Sequence, residues 1–128
     1  MEITNEQITR ILTKIVFSYD RVLEVACGGG WLALEVLKRD PKSYEGFDFS
    51  ETAARNASDR ARSFANARTY CGDALNGQIY TNEFDLIVAH QFLHCLIGAD
   101  RKTWLRFCHS SLKPSQGRLL LSSMVGIP

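Results

Sequence analysis

Two kinds of apolar pattern alternate along the chain and predict alternating helices and strands. Apolar residues at helical spacing, or an alanine-rich stretch behind a capping serine, predict four helices, at residues 5–18, 31–39, 51–65 and 100–112. Short and mostly apolar runs predict five buried strands, at residues 21–26, 44–49, 67–74, 84–90 and 117–125. The chain is therefore expected to be an α/β protein.

The predicted strands are apolar throughout rather than at every second position. Strands of this kind form parallel sheets that are covered by helices on both faces. Right-handed crossovers then give a doubly wound, mainly parallel five-stranded sheet. In such a fold the ligand site lies beyond the carboxyl ends of the strands, where the strand order reverses. The turn after the first strand is expected to border this point.

Composition and charge narrow the class of protein. With 128 residues, the chain is expected to form a single domain over residues 1–128. Its formal charge of +1, with scattered basic residues, argues against a nucleic-acid partner. The four cysteines form no CxxC pair, so free thiols are expected rather than a metal site or disulfides. No stretch approaches the roughly 18 apolar residues of a membrane span, and the N-terminal segment lacks the order of a secretion signal, so we expect a soluble, cytoplasmic protein without membrane contact.

The sequence EVACGGGW, residues 24–31, joins the first predicted strand to the next helix. Its three glycines let the backbone turn sharply and let a ligand approach the main chain closely. The free amides at the start of the following helix attract polar or negatively charged ligand groups. A tight turn without any ligand is one interpretation. A nicotinamide or flavin site is another, because Gly28, Gly30 and Ala33 match G-x-G-x-x-G/A and Asp48 follows at a suitable distance.

The charge of Glu24 helps to decide which kind of ligand the turn would bind. A carboxylate at the end of the first strand would repel a pyrophosphate but attract the ammonium group of an amino acid. Here the chain resembles the class I S-adenosylmethionine-dependent methyltransferases, whose first motif runs acid-x-G-x-G-x-G and corresponds to Glu24–Gly30. The sequence departs from this motif at Ala26, which replaces the first glycine. The resemblance implies S-adenosylmethionine as the cofactor and 3-2-1-4-5 as the strand order.

The resemblance also implies roles for residues of the glycine turn, which we call the glycine loop, residues 26–30. Glu24 is similar to the acid that holds the amino group of the cofactor's methionine part. The glycine loop, with Ala26, Cys27, Gly28 and Gly30, is expected to wrap around this part of the cofactor.

Further roles are implied at the ends of the next strands. Asp48 resembles the carboxylate that accepts hydrogen bonds from both ribose hydroxyls, and Phe49 would lie against the adenine. Asp73 is similar to the acid that accepts from the adenine amino group, and the Ala74 amide would meet a ring nitrogen. Each aspartate alone could instead be an ordinary helix or turn cap. His90, at the end of the fourth strand, is expected near the reactive methyl group.

The region after the fourth strand bears on the methyl acceptor. His90 and His94 are candidate bases, because an unperturbed histidine pKa near 6.5 suits proton transfer at neutral pH. Packing or surface roles explain these histidines equally well. Members of the resembled family that methylate nucleobase amines carry a Pro-Pro-aromatic signature here, whereas this chain has His-Gln-Phe-Leu at residues 90–93. A small-molecule acceptor is therefore expected.

The chain is shorter than the resembled family's fold, in which an antiparallel hairpin normally follows the fifth strand. Without this hairpin the apolar fifth strand would be an exposed sheet edge. Three explanations stay open: a fragment of a longer enzyme, an edge covered by a second copy or a partner segment, or a shortened binding domain. The alternatives to a methyltransferase are a non-catalytic S-adenosylmethionine or S-adenosylhomocysteine binding module and an NAD(P)-dependent oxidoreductase.

Overall fold

Helices and strands alternate through nearly all of the chain that the structure, a computed structural model, describes: residues 5–76, 80–90, 92 and 96–122. The elements of this part are, in chain order, α1 (Asn5–Ile15), β1 (Arg21–Val25), α2 (Trp31–Leu37), β2 (Ser43–Asp48), α3 (Glu51–Ala61), β3 (Ala67–Cys71), β4 (Leu86–His90), α4 (Ala99–Ser111) and β5 (Arg118–Ser122). The alternation predicted from the apolar pattern is confirmed.

The described strands form one five-stranded sheet in the order β3-β2-β1-β4-β5. Every neighbouring pair is parallel, with Glu24 of β1 beside Gly46 of β2 and Val88 of β4. The carboxyl ends of all strands therefore lie at one edge of the sheet. The strand order reverses between β1 and β4, so the glycine loop after β1 lies where a ligand site is expected. The predicted fold class and strand order are confirmed.

Hydrophobic cores lie on both faces of this sheet. On one face, Val22 packs with Ile8 and Leu12 of α1 and with the apolar side of α2. On the other face, Leu23 and Val25 pack in a second core that includes Trp104 of α4. Successive residues of β1 thus serve opposite cores, as the period of two in a strand requires. This arrangement explains why Val22, Leu23 and Val25 of β1 are apolar on both faces.

Some elements are shorter than their sequence-based predictions. Helix α1 ends at Ile15 rather than at residue 18, because the Phe17 N–H donates to Asp20 Oδ2 at 2.8 Å in a tight turn. Strand β3 ends at Cys71 rather than at residue 74, because the chain turns back through a bridge between Asp73 and Asn76.

Other boundaries also differ by a few residues, and helix α2 ends at Leu37 rather than at residue 39. Helix α3 ends at Ala61 rather than at residue 65. Strand β4 begins at Leu86 rather than at residue 84. Strand β5 is described over Arg118–Ser122, and the predicted strand residues 123–125 lie outside the described part.

Four charged residues fix the amino-terminal edge of the sheet, and we call them the amino-end cluster: Asp20, Asp85, Lys113 and Arg118. Asp20 is fully buried, and Arg118 Nη2 donates to its Oδ1 at 2.6 Å. Asp85 Oδ2 accepts from the Arg21 N–H at 2.7 Å, and its Oδ1 lies 3.0 Å from Lys113 Nζ. Burial raises the Asp85 pKa, but these hydrogen bonds and the charges of Lys113 and Arg118 outweigh it and hold the pKa below its usual 3.8.

Candidate functional site

A cavity of about 460 Å³ lies at the carboxyl ends of the strands. Its described walls come from the segments that follow β1, β2, β3 and β4, and they are mainly apolar. The lining residues are Ala26, Phe47, Asp48, Phe49, Gly72, Asp73, Ala74, Leu75, Phe92 and Leu96. The predicted residues Ala26, Asp48, Phe49, Asp73 and Ala74 are therefore brought together around one hollow.

The three glycines of the glycine loop serve different purposes. Gly30 has φ +92°, and a Cβ there would lie 2.8 Å from Ala57 Cα, so this glycine permits close contact between the loop and α3. Gly28 has φ +56°, and its N–H donates to Asp48 Oδ2 at 2.8 Å. Around a Cβ built on Gly29 no described atom lies within 4 Å, which leaves open space beside the loop. Packing thus explains Gly30 and backbone conformation explains Gly28, whereas no described contact requires a glycine at position 29.

Ala26 adopts a conformation that glycine would adopt without strain. Its φ is +57°, in the left-handed region that costs a residue with a Cβ about 1–2 kcal/mol. It occupies the position where the resembled motif has its first glycine, and its side chain lines the cavity. A left-handed backbone conformation, which glycine adopts without strain, is therefore present at this position although the glycine is not.

Asp48 links the glycine loop to helix α3. Its Oδ2 accepts from the Gly28 N–H, and its Oδ1 accepts from the Ser50 N–H at 2.9 Å. Ser50 in turn caps α3 by accepting from the Ala53 N–H at 3.2 Å. Each carboxylate oxygen can accept a second hydrogen bond, so this fixed carboxylate can still receive hydroxyl donors from a ligand.

Two further side chains shape the cavity beside Asp48. Phe49 is 80 % exposed, which is unusual for a phenylalanine and suits an aromatic surface that a planar ligand covers. Asp73 Oδ1 accepts from the Leu75 N–H at 2.9 Å, so the turn that follows β3 holds this carboxylate in place. Asp48, Phe49 and Asp73 all line the same cavity, as the sequence predicts.

Glu24 lies beneath the glycine loop and is not among the described residues that line the cavity. It is 2 % exposed, and its Oε1 accepts from the Tyr44 hydroxyl at 2.6 Å. Burial is the main cause that raises the Glu24 pKa from 4.5 to about 8; the Tyr44 hydrogen bond lowers it and the Asp48 charge raises it. Near neutral pH the Glu24 side chain is therefore mostly an uncharged acid.

The sequence-based reasoning missed Tyr44. A Cβ on Gly46, two residues along β2, would clash with the Tyr44 hydroxyl, so this glycine makes room for the phenol. A lone glycine inside an apolar strand is a sign of such a close approach, and it could have indicated Tyr44. The apolar cavity residues Leu75 and Leu96 could not be predicted either, because no sequence pattern distinguishes them from core residues.

Cys27 holds the glycine loop in place. Its N–H donates to the Phe47 carbonyl at 2.9 Å. Burial, and then the charges of Glu24 and Asp48, raise the pKa of the Cys27 thiol to about 12. The thiol is therefore protonated at neutral pH and is not a nucleophile.

Of the two candidate histidines, only His90 lies in the described part of the chain. His90 is at the end of β4, and its Nδ1 lies 2.5 Å from Ser122 Oγ of β5. It does not line the cavity in the described part of the chain, although Phe92, two residues later, does. His94 lies outside the described residues.

Within the described ranges, no group of three or more histidine, cysteine, aspartate or glutamate side chains could hold a metal ion. None of the helices in these ranges is long and apolar enough to cross a membrane.

Acids at neighbouring strand ends, a glycine loop and a largely apolar cavity define an α/β domain with a nucleoside-type ligand site. The chain belongs to a methyltransferase domain family, whose model matches residues 22–115. The family and a related structure identify S-adenosylmethionine as the cofactor. No curated protein sequence matches the chain.

Solved structures share the fold. The chain is 25% identical to a TehB-like S-adenosylmethionine-dependent methyltransferase from Corynebacterium glutamicum, with a TM-score of 0.73, covering 87% of this chain and 58% of that one. It is 26% identical to the [4+2]-cyclase SpnF, with a TM-score of 0.75 and coverages of 87% and 42%. A Pyrococcus horikoshii protein is 24% identical, with a TM-score of 0.79 and coverages of 89% and 53%, and this likeness concerns the fold alone. The chain thus spans about half the length of these structures.

Proposed function

We propose that this chain is an S-adenosylmethionine-dependent methyltransferase domain that transfers a methyl group by in-line displacement to a small-molecule nitrogen, oxygen or sulfur acceptor. The observation that carries the proposal is the cavity in which Asp48 and Asp73 meet beside the glycine loop. The residues present fit the cofactor, because two fixed carboxylates, an exposed aromatic ring and Ala26 of the glycine loop line one hollow.

In this proposal the ends of β2 and β3 hold the adenosine part of the cofactor, and the glycine loop holds its methionine part. Asp48 accepts hydrogen bonds from the ribose hydroxyls, and Phe49 lies against the adenine. Asp73 and the Ala74 amide meet the adenine edge. This division is supported by the position of all four residues on the cavity wall.

The methionine part belongs, in this proposal, to the glycine loop. Ala26, Cys27, Gly28 and Gly30 enclose it, and Glu24 receives its amino group. Ala26 of this loop lines the cavity, which supports this placement.

The bound cofactor supplies a methyl group on a positively charged sulfur, which makes that methyl carbon electrophilic. The protein's contribution is to hold the acceptor in line and to exclude water. Phe92 and Leu96 form an apolar wall that suits water exclusion. His90 is a candidate proton acceptor, and its bond to Ser122 would orient the ring. His94 is the second candidate.

The nature of the acceptor and the assembly are also proposals. The residues after β4 lack the Pro-Pro-aromatic signature of nucleobase amine methylation, which favours a small-molecule acceptor over nucleic acid. Leu119 and Leu121 on β5 are each 36% exposed, which supports a second copy or a partner segment covering this edge. We further propose that residues 1–128 form one domain, since the described strands share one sheet, and that the protein is cytoplasmic.

Calorimetry with S-adenosylhomocysteine tests the cofactor site. Asp48→Asn removes the charge that receives the ribose hydroxyls, and we expect affinity to fall by about 10-fold to 100-fold. Asp59→Asn, on exposed α3, is the matched control and is expected to bind as the unchanged protein does. Equal binding by both variants, or no binding by the unchanged protein, would contradict the proposal.

A non-catalytic binding module is the second candidate function. The similar SpnF structure is named for a cyclase reaction, so this fold also occurs in a protein that is not named for methyl transfer. A screen of methyl release to amine, hydroxyl and thiol acceptors separates the two candidates. Methyl transfer in any of them excludes the binding-only module. Tight NADH binding without S-adenosylhomocysteine binding would instead indicate the oxidoreductase alternative.

A further inference from the structure

Glu24 and Tyr44 form a buried acid–phenol pair beneath the glycine loop. The Tyr44 hydroxyl donates to Glu24 Oε1 at 2.6 Å, and both side chains are at most 2% exposed. The ring fits tightly, because a Cβ on Gly46 would overlap its hydroxyl group. The position of the Glu24 carboxyl is therefore set by a neighbouring strand and not by the loop.

No lysine or arginine among the described residues forms an ion pair with Glu24. From β2 and the loop, the titratable groups that act on Glu24 or Tyr44 are Asp48 and Cys27, and neither is a cation. From β4, His90 lies on the same sheet face and contacts Ser122. Helices α1, α2 and α3 meet this face through apolar residues of the first core.

The charged residues of those helices are engaged or exposed elsewhere. On α1, Glu6 and Arg10 pair with each other at the surface. Beside α2, Lys38 and Arg39 pair with Glu35. On α3, Glu51 and Arg55 are exposed. A charged Glu24 would thus be a buried anion with a neutral donor as its partner, which is unfavourable.

We propose that burial keeps Glu24 an uncharged acid in the free protein, that Tyr44 is a positioning residue that fixes the Glu24 carboxyl, and that binding of a ligand's ammonium group releases the Glu24 proton to solvent. The proton leaves the carboxyl group, the ligand ammonium keeps its own protons, and the Tyr44 hydroxyl continues to donate to the resulting carboxylate. The phenol keeps its proton because burial raises the Tyr44 pKa well above 10. This inference rests on the proposed function, in which Glu24 receives the cofactor's amino group.

Calorimetry in buffers of different ionisation enthalpy measures the proton directly. At pH 6.5, S-adenosylhomocysteine binding is expected to release close to one proton per ligand, because Glu24 with a pKa of about 8 is then protonated in the free protein. The matched control ligand is 5′-methylthioadenosine, which lacks the amino-acid part and is expected to release none. Binding of S-adenosylhomocysteine without proton release overturns the inference but leaves the proposed function standing. Absence of binding contradicts the proposed function itself.

Two variants identify the group that loses the proton. Glu24→Gln keeps the size of the side chain and is expected to abolish proton release and to flatten the pH dependence of affinity. Tyr44→Phe removes the hydrogen bond that lowers the Glu24 pKa, so the pH above which affinity becomes constant is expected to rise by about one pH unit. A role of Tyr44 in packing alone would leave this pH unchanged, and that result would overturn its assignment as a positioning residue. Carboxyl NMR of the free, unmodified protein gives a readout without any variant, and a Glu24 signal that titrates near pH 4.5 would contradict the inference.

Discussion

Acidic side chains lie at both ends of the sheet, but their partners differ. In the amino-end cluster, Asp20 and Asp85 are buried and pair with Arg118 and Lys113. At the carboxyl ends, Glu24 accepts from a phenol and Asp48 accepts from two backbone amides. No Lys or Arg forms an ion pair with Glu24 or Asp48 within the described ranges.

This difference separates a structural use of carboxylates from a functional one. A buried acid that already has its cation is satisfied, and removing the cation leaves a charge that the protein cannot solvate. An acid that is held only by neutral donors is fixed in place and can still receive a ligand's donors or positive charge. The position of the cations, more than that of the acids, therefore indicates which end of the sheet binds the ligand.

The largest expected effect comes from breaking the amino-end cluster. Arg118→Ala leaves Asp20 buried without its cation, and we expect the free energy of unfolding to fall by about 3–5 kcal/mol. Urea denaturation measures this change. The matched control is Arg10→Ala, whose partner Glu6 is exposed, and no measurable loss is expected. If Arg118→Ala lost as little stability as the control, the amino-end cluster would not have the structural role that the comparison gives it.

The glycine loop offers a matched pair of substitutions at the carboxyl end. Gly30→Ala places a methyl group 2.8 Å from Ala57 Cα at φ +92°, and we expect a loss of stability of about 2–4 kcal/mol. Gly29→Ala meets no described atom within 4 Å, so stability is expected to stay within about 0.5 kcal/mol. Because Gly29 belongs to the loop that is proposed to enclose the methionine part of the cofactor, Gly29→Ala is expected to weaken S-adenosylhomocysteine binding instead. Equal melting temperatures for the two variants would contradict the separate roles assigned to these glycines.

The stability of the fold is expected to depend on pH in opposite directions through Glu24, at the carboxyl ends of the strands, and Asp85, at their amino ends. Glu24 has a folded-state pKa raised from 4.5 to about 8, so its contribution to stability is complete below pH 4.5 and is lost as the pH rises through 8. Glu24→Gln is expected to remove this decline, which amounts to about 1 kcal/mol per pH unit. Asp85 has a lowered pKa, so its contribution is present above its usual 3.8 and is lost as the pH falls.

Urea denaturation of the unchanged protein and of Glu24→Gln between pH 5 and about pH 8.5 measures the Glu24 effect. The slope of the free energy of unfolding against pH gives the difference in bound protons between the unfolded and the folded state. Parallel stability curves for the unchanged protein and Glu24→Gln would show that Glu24 titrates normally in the fold.

The smallest effect is expected at Ala26. Ala26→Gly relieves the strain of φ +57° but adds backbone entropy to the unfolded chain, so we expect a net gain of less than about 1 kcal/mol. Thermal denaturation measures the gain, with Ala33→Gly in α2 as a control that should be destabilised. Destabilisation of Ala26→Gly would show that the Ala26 methyl contributes more through its cavity packing than its backbone conformation costs.

Much of the site could be predicted from the sequence because its residues stand beside strand ends. Asp48 and Asp73 follow apolar strands, and parallel strands bring their carboxyl ends to one edge. The glycine loop could be predicted for the same reason. Element boundaries were less accurate, as with α1, since a single hydrogen bond from Phe17 to Asp20 ends the helix early.

Other features could not be predicted because they depend on contacts between distant residues. Tyr44 meets Glu24 only because β2 lies beside β1 in the observed register. The depth of Glu24 beneath the loop, and hence its raised pKa, depends on that packing. The role of Gly30 likewise depends on Ala57, which belongs to another helix.

The sequence by itself determined the order of helices and strands, the parallel sheet and the acids at its carboxyl edge. These follow from local periodicity and from the chain direction, which neighbouring residues encode. Only the tertiary structure decided which acids have a cation, which glycine is needed for packing, and that a phenol holds Glu24. Charge compensation and close packing are properties of side chains that meet in space, and residues far apart in the sequence supply them.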